Sequence, residues 1–318
     1  MNVQERLLQE RIDPYLSDRA LGALAERAVG VSTVRGYEVL TGGCWNRVIA
    51  VDIGDRSLVY KISPHANDPK IIREFQVLSV FAEQTSLAVP EPLALDSTGT
   101  TLPGTVLVMS RIPGAVLHEC YGLLNYGARR AVTDQIASDL AELHRIESVG
   151  FGGVELDESQ RLAEWPDFWL PRFDAVLDDA AESGAVPASI LDGARELRPS
   201  LARPLSIGAT STMTHYDIWS GNVMVDLDRD VPRVSGYIDV PGFYADYARE
   251  LSFAMLFGIA NRRFFETYLA EHELDPGFEL RANIYNLKMN IKHIGMYPTQ
   301  RVYQQGAVEN LEFIRRVV

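Results

Sequence analysis

The spacing of apolar residues changes along this chain, and that change constrains the fold more than any other feature. Between residues 37 and 63, the runs YEVLT, NRVIAVDI and SLVYKIS are rich in β-branched residues and are separated by glycines. Such runs are typical of antiparallel hairpins. Beyond Leu117, most of the chain repeats apolar residues every three to four positions, as amphipathic helices do. The sequence therefore predicts an α+β protein with a small antiparallel β lobe and a larger, mostly helical lobe.

Turn signals divide the chain into three predicted segments. Apolar residues at helical spacing, broken at Asp13-Pro14, predict two short helices at the start of the chain, and Pro113-Gly114 follows the last β-type run of the small lobe. The length of 318 residues suffices for two domains or two lobes. A cleft between lobes is where small ligands usually bind. The predicted segments are the N-terminal helices (1–30), a small lobe (31–113) and a helical lobe (114–318).

The charge balance argues against one class of partner. With 43 acidic and 30 basic residues, the net charge is −13, whereas nucleic-acid binding needs a basic surface. An acidic chain is compatible with a cationic small-molecule substrate, although acidity also simply keeps proteins in solution. We therefore expect no nucleic-acid partner.

Neither a membrane span nor a disulfide framework is expected. The longest uncharged apolar stretch, residues 251–261, is too short to cross a bilayer. Charges occupy the N-terminal positions where a signal peptide needs an apolar core, so the expected compartment is the cytoplasm. The two cysteines, Cys44 and Cys120, lack metal-ligand spacing.

The stretch HYDIWSGN, residues 215–222, carries the most specific chemistry. Asp217 and Asn222 have the Asp-x4-Asn spacing of a kinase catalytic loop, in which the aspartate orients the attacking hydroxyl and accepts its proton, and the asparagine holds a metal ion. Asp239, between Ile238 and Val240, fits a second magnesium ligand. Each of these residues alone would more often be a turn residue, but their joint order and spacing favour a magnesium–nucleotide site.

The small lobe offers independent support for a nucleotide site. Lys61 lies inside an apolar strand pattern, and Glu74 follows in the next predicted helix. A strand lysine paired with a helix glutamate positions nucleotide phosphates in kinases, although Lys61 could also reach solvent from an edge strand. Gly42-Gly43 could bring backbone N–H groups over phosphates, or form an ordinary tight turn.

With these motifs in place, the chain resembles the superfamily of aminoglycoside phosphotransferases and choline kinases. Its C-terminal half is most similar to the fructosamine (ketosamine) kinase branch. The resemblance covers about residues 37–315 and is strongest in HYDIWSGN and YIDVPGFYADYAREL, within residues 215–251. Tyr216 departs from the family pattern, which usually has glycine there. Only a short segment separates Asp239 from Glu250, which leaves no room for the activation loop of a protein kinase.

The resemblance implies a protein-kinase-like fold that binds ATP and Mg²⁺. ATP would lie under the Gly42-Gly43 loop, with adenine against backbone atoms of Ser110 to Ile112, beside Met109. Trp219 is a candidate stacking surface for a sugar or a cationic amine, or a packing residue. Asp246 and Glu250 would either contact the substrate amine or orient the catalytic loop. Cys44 is expected to be an inert small residue.

Three functions remain open from the sequence. The first is a kinase that phosphorylates a hydroxyl of an amino-sugar or ketosamine substrate. The second is an antibiotic phosphotransferase that acts on an aminoglycoside. The third is a pseudokinase that binds nucleotide without turnover, which the presence of Lys61, Asp217, Asn222 and Asp239 argues against.

Overall fold

The computed structural model describes residues 10–40 and 46–318, and the chain divides into two units. Unit 1 comprises the chain up to Gly114 together with the segment Ser235–Val240. Unit 2 comprises Ala115–Val234 and Pro241–Val318. Each unit has its own sheet structure and its own buried apolar residues.

In the described part of the chain, unit 1 is built on a five-stranded antiparallel sheet with the order β1-β2-β3-β5-β4. The period-two pattern accounts for its buried side: Val51 and Ile53 are buried, while Asp52 between them is exposed. The strands are β1 (Val34–Val39), β2 (Arg47–Ile53), β3 (Arg56–Ser63), β4 (Pro92–Asp96) and β5 (Thr105–Ser110).

Helix α1 (Asp18–Val29) packs on this sheet and shares its core. The Ser17 side chain caps its first turn by accepting the N–H of Ala20. Leu21 is fully buried, and its carbonyl accepts a hydrogen bond from the Tyr60 hydroxyl at 2.9 Å. The second predicted N-terminal helix is therefore part of unit 1.

Helix α2 (Pro69–Gln84) carries Glu74. Asp68 caps it by accepting the N–H of Lys70 at 2.8 Å, and Pro69 occupies the first turn, where its missing N–H costs nothing. These signals fix where the helix begins and hence where Glu74 lies.

Unit 2 is mostly helical in the part of the chain that the structure describes. Its helices are α3 (Leu117–Cys120), α4 (Tyr126–Leu143), α5 (Trp165–Ser183), α6 (Ala188–Leu197), α7 (Ala202–Ser206), α8 (Tyr247–Leu256), α9 (Arg262–Tyr268), α10 (Phe278–Met296) and α11 (Arg301–Val317). Helix α10 packs against α5, α8 and α11, and α4 packs against α9.

Short strands frame the candidate catalytic residues. In unit 2, β11 pairs antiparallel with both β7 and β8, and β9 pairs with β6. The strands of unit 2 are β6 (Ala115–Val116), β7 (Gly152–Gly153), β8 (Ser211–Thr214), β9 (Val223–Asp226) and β11 (Phe243–Asp246), and β10 (Arg233–Tyr237) ends in the segment that belongs to unit 1. Residues 215–222 connect β8 to β9, so two strands hold the ends of the HYDIWSGN loop.

The distribution of elements confirms the predicted α+β fold class, with an antiparallel sheet in one unit and predominantly helices in the other. Large aromatic residues of α5 and α10 fill part of the core of unit 2; Trp165, Trp169 and Tyr285 are almost completely buried. None of the helices within residues 10–40 and 46–318 combines the length and the apolar character that crossing a membrane requires.

Candidate active site

Lys61, Glu74 and Asp239 come together in unit 1. The Lys61 amine donates to Glu74 Oε1 and to Asp239 Oδ1, each at 2.8 Å. Although burial disfavours the charged amine, the two carboxylates raise the pKa of Lys61, so it is a cation at neutral pH. Burial raises the pKa of Glu74, and the Lys61 charge opposes that shift. The strand lysine is therefore paired with a helix glutamate and does not extend freely into solvent.

Asp239 is held by a segment that joins unit 1 from far along the chain. The Tyr237 N–H donates to the Ala88 carbonyl at 2.8 Å. A Cβ at Gly236 would lie 2.7 Å from that same carbonyl oxygen, so only glycine allows this approach. Asp239 has a φ of 53°, a left-handed conformation that is uncommon outside glycine. Its side chain is 58% exposed although it contacts Lys61, which leaves it accessible to a ligand.

The residues expected around adenine lie at the end of β5. Met109 is buried, and Ser110 is joined to Glu91 by two hydrogen bonds, from its N–H at 2.9 Å and to its hydroxyl at 2.8 Å. Its N–H is thus engaged in the structure. Ile112 follows with its side chain beside Gly236. The expectations for Gly42, Gly43 and Cys44 lie outside the described residues.

Asp217 and Asn222 form the second group, in unit 2. The Asn222 side-chain amide donates to Asp217 Oδ2 and to the Asp217 carbonyl, each at 2.9 Å. The Asp217 N–H points to His215 Nδ1 at 3.3 Å. The five-residue spacing therefore closes a loop in which the asparagine fixes the orientation of the carboxylate. The described residues hold no group of three or more His, Cys, Asp or Glu side chains placed to bind a metal.

Tyr216 adopts the backbone conformation that explains glycine in the family pattern. Its φ is 79°, in the left-handed region that disfavours side chains. Three contacts hold it there: its N–H donates to Glu250 Oε1 at 2.5 Å, its carbonyl accepts from Arg249, and the Arg249 guanidinium lies 3.6 Å from the centre of its ring. Phe243 packs against the same ring at 4.5 Å.

Glu250 anchors the catalytic loop from inside the protein. It is fully buried; its Oε2 contacts His144 Nε2 at 2.9 Å and accepts the His215 N–H at 3.3 Å. The other nitrogen of His144 contacts the Tyr268 hydroxyl at 2.8 Å. Burial opposes ionisation, yet the hydrogen bonds and charges of His144 and His215 lower the pKa of Glu250.

Asp246 anchors a second buried network. Its carboxylate accepts from Arg281 at 2.6 and 3.2 Å and from the Tyr285 hydroxyl at 2.5 Å, and neither Asp246 nor Arg281 is exposed. Burial raises the pKa of Asp246, and Arg281 opposes that shift. The burial of both Asp246 and Glu250 corrects the substrate role expected for them: neither carboxylate reaches solvent, so both support the loop and its strands.

Trp219 lies against the catalytic loop and is half-buried. A Cβ at Gly221 would lie 2.2 Å from its ring, so the indole packs directly over the glycine backbone. His118 and Phe257 lie beside it at ring distances of 6.0 and 6.4 Å. Part of the indole is used for packing and part is open to solvent.

Three basic residues near these groups escaped the sequence reasoning: Arg249, Arg281 and Lys288. The signal that could have found two of them is a charge at an apolar position of a helix, as in FELRANIYNLK. Arg249 is only 9% exposed and lies directly before Glu250.

The chain is similar in sequence to a ketosamine kinase and in structure to a fructosamine kinase and an aminoglycoside phosphotransferase. Ketosamine-3-kinase of Mus musculus is 24% identical over 310 residues, which cover 85% of this chain and 92% of that protein. A protein from Thermobifida fusca assigned as a fructosamine-3-kinase shares 18% identity over 95% of this chain and 100% of its own, with a TM-score of 0.74. The aminoglycoside phosphotransferase APH(2″)-IIIa, solved with GDP and kanamycin, has a TM-score of 0.61 at 14% identity and covers 92% of this chain and 97% of its own.

The solved structures confirm the kinase-like fold class. The model of the phosphotransferase enzyme family matches residues 36–271, which include Lys61, Asp217, Asn222 and Asp239. Because that match spans well over half of the chain, the protein belongs to the phosphotransferase enzyme family, as the HYDIWSGN block predicted.

Proposed function

We propose that this protein is an ATP- and Mg²⁺-dependent kinase that transfers the γ-phosphate to a hydroxyl of a ketosamine or related amino-sugar substrate. The observation that carries the proposal is the pairing of Lys61 with both Glu74 and Asp239 at 2.8 Å. A lysine between a helix glutamate and a metal-binding aspartate is the arrangement with which kinases position nucleotide phosphates. Membership of the phosphotransferase family implies the use of ATP.

The side chains fit a magnesium–nucleotide complex. Mg²⁺ takes oxygen ligands and needs few carboxylates when phosphates complete its shell. The carboxylate of Asp239 and the amide oxygen of Asn222 are the oxygen ligands that would hold the metal in this proposal. When bound, the metal neutralises phosphate charge. Lys61 would contribute a fixed positive charge, and Met109, Ser110, Ile112, Gly42 and Gly43 would contact the nucleotide.

Asp217 is the proposed general base. Two hydrogen bonds from Asn222 at 2.9 Å orient its loop and carboxylate. A carboxylate held in this way can accept the proton of an attacking hydroxyl and orient the hydroxyl oxygen toward the γ-phosphate. Glu250 would act indirectly, since it fixes the backbone N–H groups of His215 and Tyr216, next to Asp217.

Similarity to ketosamine-3-kinase over 85% of the chain supports the ketosamine class of substrate. Trp219 beside Asp217 is the proposed surface for the sugar or its amine nitrogen. We also propose that residues 31–113 serve nucleotide binding and residues 114–318 serve catalysis and substrate binding. The cytoplasm, where ATP is available, is the proposed compartment.

The test is an ATP-consumption screen over glycated amines, amino sugars, cholines and aminoglycosides, with Asp217→Asn as the inactive control. Preferred turnover of a glycated amine supports the proposal. Preference for an aminoglycoside would assign the antibiotic-phosphotransferase function instead. Nucleotide binding that depends on Mg²⁺, without turnover of any acceptor, would point to the pseudokinase.

A further inference from the structure

A cluster of cations in unit 2 makes none of the contacts with nucleotide, metal ion or acceptor hydroxyl in the proposed phosphate transfer. Lys288 and Lys292 lie one helical turn apart on α10, on the same side of that helix. Arg249 of α8 and Arg172 of α5 stand close enough for their charges to act on Lys288. In a chain with a net charge of −13, this concentration of positive charge calls for a function.

Lys288 is the most informative member of the cluster. Its amine lies 5.3 Å from the centre of the buried Trp169 ring, and the side chain is only partly exposed. Within the described residues no carboxylate lies within ion-pair distance of it, and the charges that act on it are all positive. Burial, together with Arg249, Arg172 and Lys292, lowers the pKa of Lys288 to about 7. Charged side chains are rarely buried without an opposite charge.

The cluster adjoins the catalytic loop. Arg249 donates to the carbonyl of Tyr216, the residue before Asp217, and covers its ring. On α10, His293 directly follows Lys292; its ring lies 5.2 Å from Phe257, and the Phe257 ring lies 6.4 Å from Trp219 of the catalytic loop. Arg249 therefore contacts the backbone next to Asp217, and the part of α10 that carries Lys292 reaches the catalytic loop through these ring contacts.

We infer that the acceptor substrate carries an oxyanion, a carboxylate or a phosphate, which is bound by Lys288 with Arg249 and Lys292. The inference rests on the proposed function, since it names a further group on the ketosamine acceptor. The amino-acid part of a glycated amino acid supplies a carboxylate, and a phosphorylated sugar part supplies a phosphate. An oxyanion beside Lys288 gives the buried amine the opposite charge that the protein does not supply.

Binding to the intact, ATP-free protein tests the inference by titration calorimetry. The probes are a glycated amino acid with a free carboxylate, its methyl ester, and the same ester with a phosphate on the sugar. We expect one of the two anions to bind about 10- to 100-fold more tightly than the neutral ester, the range of a charged hydrogen bond. The anion that binds more tightly than the neutral ester identifies the source of the charge.

Lys288→Gln should remove this preference and leave the affinity for the neutral ester within about threefold, which also shows that the variant is folded. Lys288→Arg should retain part of the preference. Lys70→Gln, an exposed lysine of unit 1, is the matched control and should retain all of it. Equal affinity of wild type for the ester and both anions would overturn the inference, and so would a preference that survives in Lys288→Gln.

Turnover of the same probes separates this inference from the proposed function. Phosphorylation of the ester and the anions with equal kcat/KM, together with equal affinity, would contradict the oxyanion site but support the kinase function. Lys288-dependent binding of an anion without phosphorylation of any probe would support the oxyanion site and contradict the ketosamine kinase function. A Lys288→Gln defect confined to the KM for ATP would assign the cluster to the nucleotide and overturn the inference.

Discussion

Glu250 accepts the backbone N–H of Tyr216 at 2.5 Å, and the residue that it holds has a φ of 79°. A buried carboxylate thereby fixes a strained backbone one residue before the proposed base. The strain lies in the loop, and the restraint comes from α8, so the position of Asp217 depends on a helix that follows it in the chain.

The strain at Tyr216 predicts that glycine is better tolerated there than alanine. Both replacements lose the ring contacts with Arg249 and Phe243, but only glycine adopts a positive φ freely. We expect Tyr216→Gly to be more stable than Tyr216→Ala by about 1–2 kcal/mol. Urea unfolding of the two variants measures the difference. Equal stability would mean that the backbone relaxes when the ring is removed.

Glu250→Gln should weaken the fold because an amide cannot replace a carboxylate between these partners. A glutamine side chain has one oxygen and one NH2 group, so its NH2 group would face either the N–H groups of His215 and Tyr216 or the ring of His144. The expected loss is on the order of 1–3 kcal/mol in the free energy of unfolding, measured by urea denaturation. Glu266→Gln, at an exposed surface pair, is the control and should change stability by less than about 0.5 kcal/mol.

Asp217→Asn should preserve ATP binding and lower kcat. The amide keeps the shape of the side chain but cannot accept the proton of the acceptor hydroxyl, a function worth on the order of 10²- to 10⁴-fold in rate. Steady-state kinetics and nucleotide titration check the two halves of this prediction. Turnover near the wild-type rate would remove Asp217 from catalysis.

Asp239→Ala should abolish the tightening of ATP binding by Mg²⁺, since the metal loses its proposed carboxylate ligand. ATP titrations with and without Mg²⁺ measure the effect. Lys61→Ala is the companion variant: it should weaken ATP binding at both Mg²⁺ levels, because it removes a charge and not a metal ligand. A wild-type Mg²⁺ effect in Asp239→Ala would identify another ligand.

Lys288→Met should stabilise the protein in a pH-dependent way. The pKa of Lys288 is about 7 in the folded state and 10.5 in its ordinary state, so between these values the unfolded chain binds more protons. The stability of the wild type therefore rises with pH across this window. Methionine removes the cost of the buried charge, and its advantage should be on the order of 2–4 kcal/mol below pH 7 and vanish above about pH 10.5. Unfolding free energies from pH 6 to 10.5 test this; a flat difference would contradict it.

Local patterns predicted the fold class and the helix that carries Glu74 because their information is contiguous in the sequence. The helix that carries Glu74 is predicted from apolar spacing at Ile72, Phe75, Leu78 and Phe81. Leu78 and Phe81 are buried, whereas Ile72 and Phe75 are half-buried because Ile71 and Val77 take the buried positions of the first turns. The pairing of Asp217 with Asn222 follows from five residues of sequence. In both cases the structure adds detail to an element that the pattern already implied.

The roles of the buried charges could not be predicted in the same way. Whether Asp246 and Glu250 contact a substrate depends on Arg281 and His144, which lie 35 and 106 residues away along the chain. A carboxylate looks alike in a sequence whether it is exposed or neutralised by a distant partner. Lys288 was missed for the related reason that its significance depends on the absence of any such partner among the described residues.

Because the segment Ser235–Val240 belongs to unit 1, that unit is completed late during synthesis of the chain. A ribosome releases the five-stranded sheet first, but the strand-end residue Asp239 follows only after the whole of Ala115–Val234 has been made. Until then, Lys61 has Glu74 but not its second carboxylate, and the carbonyl of Ala88 lacks the N–H of Tyr237. The first unit to be translated is thus the one that must wait for a later part of the chain to complete it. A gene fragment ending at Gly114 would encode a sheet without one of its own functional groups.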